Sequence, residues 1–210
     1  MFRDLISACI DGNIDEVKKI IEAGGSVKKS NRDGWTPLYI ASCNGHLDVV
    51  KILIALGGLV NKANKDGWTP IWIASCNGHL EIVKILIKAG GLVNLADNYF
   101  RTPLYIASCN GHLEIVKVLI ASKGNLLFKK SDGRTPLDIA KTDEIKQIIM
   151  NDPWYRRHPL LLTRPYSDHK TNKKHKLSPL GEIVTATGGN DSDAKNNLLF
   201  QIKIKIASFL

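Results

Sequence analysis

Three histidines, His46, His79 and His112, and three cysteines, Cys43, Cys76 and Cys109, have the most reactive chemistry to offer in this chain. Imidazoles and thiolates are zinc ligands, and a thiol beside an imidazole is the start of a nucleophile. Each set recurs every 33 residues, so its members occupy equivalent places in successive structural units. Helices packed side by side stand roughly 8 to 10 Å apart, beyond the Cα separation of about 7 Å that a disulfide tolerates, and too far to share one small ion. We therefore expect free thiols, no metal and no cofactor. Elsewhere the sequence sets no base beside a nucleophile and no carboxylate pair in a defined cleft, and residues 181–191 lack the Gly-Lys-Ser/Thr of a phosphate loop. Neither an enzyme nor a small-molecule substrate is expected.

The spacing that argues against a metal centre is the strongest signal in the chain. Residues 31–63 and 64–96 are identical at 25 of 33 positions, and a third copy covers 97–129. Each copy spells two short helices. Thr36-Pro37 supplies a capping hydroxyl followed by a residue whose missing N–H costs nothing at the first helical position; Thr69-Pro70, Thr102-Pro103 and Thr135-Pro136 repeat the device. Asn44-Gly45 ends that helix through a left-handed glycine. A second helix is expected from about Leu47 to Leu56, with Asp48 in its first turn and Lys51 one turn later. Its apolar stripe is Leu47, Val50, Leu53 and Ile54, faced by Leu38 and Ala41. Gly57-Gly58 stops the chain, residues 59–64 read as extended, and Asp33-Gly34, Asp66-Gly67 and Asp132-Gly133 signal hairpin turns. Helices this short are marginal alone, so the units must stack.

The string D-G-x-T-P-L-x-x-A-x-x-x-G-H-L-x-x-V-K-x-L-I at this period resembles the ankyrin repeat, over Leu5 to Ile149. The resemblance implies an all-α solenoid of stacked helix-turn-helix units with β-hairpin loops, plus a C-terminal extension. An N-terminal capping repeat would cover 1–30, repeats 31–63, 64–96 and 97–129, a C-terminal capping repeat 130–151, and the extension 152–210. Lys18, Lys19 and Glu22 at one end, and Lys141, Glu144, Lys146 and Gln147 at the other, would face water. The implied function is a protein-interaction module, a scaffold or adaptor holding a protein partner on its concave face. The histidines would serve a local structural role, and Tyr39, Trp72 and Tyr105 would fill space along the first helices. Asn61 and Asn94 sit at the Val-Asn place that resembles a hydroxylation site in some ankyrin proteins, with a turn-forming role as the preferred reading.

The residue before each Thr-Pro forms a ladder, Trp35, Trp68, Arg101 and Arg134. The resemblance turns this position onto the binding groove, beside Arg32, Asp33, Lys65, Asp66, Asn98 and Tyr99 on the hairpins. Trp, Tyr and Arg are the residues that dominate binding hot spots. These positions are expected to be dispensable for folding. One departure stands out: Phe100 replaces the turn glycine of the other units, so the third hairpin is expected to be distorted and Phe100 exposed.

The net charge of +9 is uneven, the stretch after residue 150 being the more basic per residue. Trp154, Tyr155, Arg156, Arg157 and His158 form an aromatic-basic cluster with no nucleic-acid-binding motif around it, and it reads as the start of a solvated linker carrying Lys170, Lys173 and Lys174. The end, NLLFQIKIKIASFL, fits an amphipathic helix better than a strand, and Ser208-Phe209-Leu210 resembles a ligand for PDZ domains. Together these suggest, as the alternative function, attachment to an anionic membrane surface through the tail. With neither an apolar run long enough to span a bilayer nor a signal-peptide pattern at Met1 to Ile10, the expected compartment is the cytoplasm, the nucleus being the other candidate.

Overall fold

The computed structural model describes residues 4–157, 176–177 and 183–184. Residues up to 157 belong to one compact unit made of helices α1 (Leu5–Asp11), α2 (Ile14–Glu22), α3 (Pro37–Asn44), α4 (Leu47–Ala55), α5 (Pro70–Asn77), α6 (Leu80–Lys88), α7 (Pro103–Asn110), α8 (Leu113–Ala121), α9 (Asp143–Asn151) and α10 (Pro153–Arg157). A separate unit, 168–210, contains the antiparallel pair β1 (Lys176–Leu177) and β2 (Ile183–Val184), with Lys176 opposite Val184 and Leu177 opposite Ile183. Residues 197–210, His158, Lys170, Lys173 and Lys174 lie outside the described residues, and with them the amphipathic helix, the terminal ligand and the membrane attachment expected there. Among the described residues no helix is long and apolar enough to cross a membrane.

The helix ends follow the local chemistry of the repeat. Thr36, Thr69 and Thr102 each accept the N–H three residues on, at 3.1 to 3.2 Å, while Gly45, Gly78 and Gly111 close the same helices in the left-handed conformation. Asp4 does the work of the missing Thr-Pro in the first unit, accepting from Ser7 N–H at 2.8 Å. The first helices α1, α3, α5 and α7 stack in one layer and the second helices α2, α4, α6, α8 and α9 in another. The inner layer is buried nearly all round rather than along a stripe: in α3 every residue from Pro37 to Ser42 is buried. In α4 the buried set is Val49, Val50 and Leu53, while Leu47 and Ile54 are half-buried. Fully burying residues such as Leu53 and Leu86 contributes about 1.5 to 3 kcal/mol each, the main source of stability for helices of eight or nine residues.

The histidines act between units rather than locally. His46 Nε2 meets the Ile10 carbonyl at 2.8 Å, His79 that of Cys43 at 3.0 Å and His112 that of Cys76 at 2.9 Å. Each ring lies against the helix-ending glycine of the preceding unit, where any Cβ would collide with it. Asn61 and Asn94 also tie successive units. Asn61 donates to Gly90 O and accepts from Leu92 N–H, and Asn94 does the same with Lys123 O and Asn125 N–H. Residues 59–64 are not continuously extended, because a turn at Val60 and Asn61 brings Lys62 N–H back to Leu59 O.

The last unit departs from expectation in two ways. Pro136 to Ile139 forms a turn instead of a first helix, with Thr135 bonded through its hydroxyl to Asp138. Thr142, the cap of α9, stands two positions after Ala140, where His46 stands five after Ala41, so about one helical turn of chain is missing. Beyond residue 151 the chain does not run straight into a linker: α10 packs on α9, and Tyr155 is half-buried against the core.

The hairpins turn without forming strands. Asn31, Asn64 and Asp97 each accept the N–H groups two and four residues on through one side-chain oxygen, folding the loop back on itself. Successive hairpins touch edge to edge, Lys65 N–H bonding Asp33 O at 3.1 Å and Asn98 N–H bonding Asp66 O at 3.0 Å. Contrary to expectation the third hairpin is not distorted. Phe100 adopts φ 60° and donates to Asp97 O at 2.9 Å, as Gly67 does to Asn64 O at 3.1 Å. What changes is the next junction: no backbone bond joins Ser131 to Tyr99 at the equivalent place. Gly34 and Gly67 have the following hairpin's backbone within 3.1 and 2.8 Å of where a Cβ would stand, and Phe100 has that Cβ.

A left-handed Phe costs about 1 to 2 kcal/mol, against roughly 0.4 to 1 kcal/mol of extra unfolded-chain entropy for a glycine. Phe100→Gly should therefore raise stability by roughly 0.5 to 1 kcal/mol, read from the urea midpoint. A lower midpoint would mean that the ring, 41% exposed, contributes more by packing than its backbone loses by strain.

Candidate protein-binding surface

The residue before each Thr-Pro is set on the same side of the stack by the hairpin and helix that flank it, but the four side chains end in different environments. Trp35 is 36% exposed, with its ring stacked on buried Tyr39 at 6.2 Å. Trp68 is half-buried, lying parallel to Trp72 at 5.0 Å and 2°, and its Nε1 is enclosed without an acceptor. Arg101 covers the other arm of this cluster, its guanidinium 5.1 Å from the Trp72 ring and 5.2 Å from that of Tyr99. Trp72 Nε1 donates to Arg101 O at 2.9 Å, closing a bond across two units. Arg134 is exposed and pairs with Asp132 at 2.6 Å.

Trp68, Trp72, Arg101 and Tyr99 are thus brought into one layered cluster, cation over aromatic face. Arg101 is further held by Asp97, whose carboxylate is fully buried and takes both Nε and a terminal nitrogen at 2.7 Å. Removing one partner of a buried pair leaves an uncompensated charge. Arg101 and Trp68 are therefore parts of the fold, which differs from the expectation that the whole ladder is dispensable for folding. Trp35 and Tyr99, the latter 58% exposed, remain open to a partner. The hairpin charges Arg32, Asp33, Lys65 and Asp66 are all exposed. The i, i+4 spacing of Asp97 and Arg101 was available in the sequence as a signal for the ion pair, as were Asn31 and Asn64 for the turns.

Burial pushes the Cys9 thiol up to about 12, with the nearby Asp4 charge adding to it. Burial likewise raises Cys43 and Cys76, against an opposing hydrogen bond from Asn77 or Asn110. All four cysteines are free, and burial holds Cys9, Cys43 and Cys76 toward the protonated thiol. Asp132 titrates well below the usual carboxylate range because Arg134 and then Lys130 donate to it. Among the described residues no group of His, Cys, Asp and Glu is placed to hold a metal ion.

Stacked two-helix units tied by repeated side-chain bridges, with exposed aromatic and basic residues at equivalent loop positions, define a helical-repeat solenoid. The family model for ankyrin repeats (three copies) matches residues 5–97 and 92–150, and the chain belongs to that family, whose arrays are protein-interaction modules. The Notch-regulated ankyrin repeat-containing proteins of Homo sapiens and Xenopus laevis are 44% identical to it over 38 residues, 18% of this chain and 33% of theirs. This match spans about a third of the length of those relatives.

Proposed function

We propose that the chain is a cytoplasmic scaffold or adaptor that holds a protein partner on the hairpin side of its ankyrin stack. The observation that carries this reading is the exposure of Trp35 and Tyr99 at the hairpins, flat side chains that lose little freedom on contact. Trp68 and Arg101 support that surface from below, and Arg32, Asp33, Lys65, Asp66 and Arg134 surround it.

Trp35→Ala together with Tyr99→Ala should leave far-UV circular dichroism unchanged and weaken partner capture by at least about 2 kcal/mol, the usual hot-spot threshold. Proteins crosslinked to the full chain and identified by mass spectrometry supply the partner for that measurement. Equal capture by the folded double variant would move the interface to another face.

A further inference from the structure

The charge of the stack is divided by position. The loop and hairpin segments 28–35, 59–68, 92–101 and 125–134 hold nine Lys and Arg against four Asp, while the rest of residues 4–157 holds eleven against twelve acidic residues. The positive charge of the described stack therefore sits in its loops. Four of the second helices, α4, α6, α8 and α9, each carry one ion pair on their own surface: Asp48 with Lys51, Glu81 with Lys84, Glu114 with Lys117, and Asp143 with Lys146, all at 2.6 to 2.9 Å.

The first two hairpins lack this neutralisation. Lys28, Lys29, Arg32, Lys62 and Lys65 are exposed, and none has an ion pair among the described residues. Equivalent positions stack, so Lys29 repeats at Lys62 and Arg32 at Lys65, with the two hairpins joined by the Lys65 to Asp33 backbone bond. Like charges held in register repel, and an anionic partner relieves that repulsion. Trp35 lies beside them and gives the patch an apolar face.

Resting on the hairpin-side reading above, we infer that the first two hairpins bind an acidic, extended segment of the protein partner. Its carboxylates sit among Lys28, Lys29, Arg32, Lys62 and Lys65, and its apolar side chains cover Trp35. A peptide fits better than a nucleic acid because exposed Asp33 and Asp66 stand next in sequence to Arg32 and Lys65 on the two hairpins. A continuous phosphate backbone would meet these acids at both hairpins, whereas a peptide offers N–H groups to them between its carboxylates. Units about 8 to 10 Å apart match about every third residue of an extended chain rising roughly 3.3 Å per residue.

The test is fluorescence anisotropy of a labelled peptide of repeated Glu-Glu-Leu with the full chain. Binding should weaken steeply with salt, and Lys62→Glu with Lys65→Glu should weaken it at least about tenfold. Lys28→Glu with Lys29→Glu should do the same, which guards against misfolding of either variant. Lys18→Glu with Lys19→Glu makes the same charge change on exposed positions of α2 and should leave affinity as it was. No binding, equal losses in all three variants, or tighter binding of oligothymidine than of peptide would each overturn the inference. With the crosslinked partner, loss of capture in Trp35→Ala and Tyr99→Ala but in neither hairpin charge variant would keep the surface and remove the acidic occupant. Capture unchanged in all of them would remove both.

Discussion

Gly67→Ala is expected to destabilise the stack by roughly 2 to 5 kcal/mol, adding a left-handed penalty of about 1 to 2 to an overpacking cost of about 1 to 3. The glycine has φ 84°, and a Cβ there would stand 2.8 Å from Asn98 N and 2.9 Å from Asp97 Cα. Backbone atoms cannot swing aside as a lysine tip can, so the second and third hairpins must part and the Asn98 to Asp66 bond must stretch. Phe100 is the natural control, since at the equivalent position a full side chain coexists with an absent inter-hairpin bond. Urea unfolding followed by circular dichroism measures the loss. A variant within about 0.5 kcal/mol of the parent, the scatter of ordinary surface substitutions, would show that hairpin contact contributes little to holding the units together.

Trp72→Ala should cost about 3 to 5 kcal/mol, the range for deleting a large buried aromatic residue. Only 2% of Trp72 is exposed, and its ring lies parallel to Trp68 at 5.0 Å with the Arg101 guanidinium 5.1 Å from its centroid. Its removal also strips the Arg101 carbonyl of its indole donor. Trp72→Phe keeps an aromatic layer but not the hydrogen bond, so it should fall between parent and alanine in a thermal or urea series. If alanine there costs under about 1 kcal/mol, less than one ordinary core truncation, the cluster is not structural and Trp68 returns to the partner-facing set.

The helix ends were legible because caps are short-range chemistry. Thr36 and Gly45 decide α3 through groups three or four residues away, and the same residue types at the same offsets recur in α5 and α7. Contacts between units were not legible in this way. The His79 bond to Cys43 O spans 36 positions and the Trp72 bond to Arg101 O spans 29, and neither partner's type announces the pairing, because the acceptor is a backbone carbonyl. The ladder of Trp35, Trp68, Arg101 and Arg134 was visible as a pattern, but its division into structural and open members depends on which unit supplies the neighbour. Trp68 lies against Trp72, which Arg101 also covers, whereas Trp35 stacks on Tyr39 and stays 36% exposed. The turn at Pro136 was hidden by an intact Thr-Pro signal, outweighed by the missing length before Thr142.

The backbone bond missing between the third and fourth hairpins makes one junction of the array unlike the others. In a linear stack each unit depends only on its neighbours, so an end unit can unzip without the rest when its one junction is weak. Here that end has a turn in place of an inner helix, and the hairpin bond that links the preceding units is absent between Tyr99 and Ser131. The last unit keeps the Lys141 N–H bond to Ser108 O and buries Ile145 and Ile149 fully, so its attachment rests on the helices rather than on the hairpin. Phe100 stands at this junction with a full side chain where Gly34 and Gly67 leave room for the next hairpin's backbone, so one residue type decides whether two neighbouring loops can share a bond.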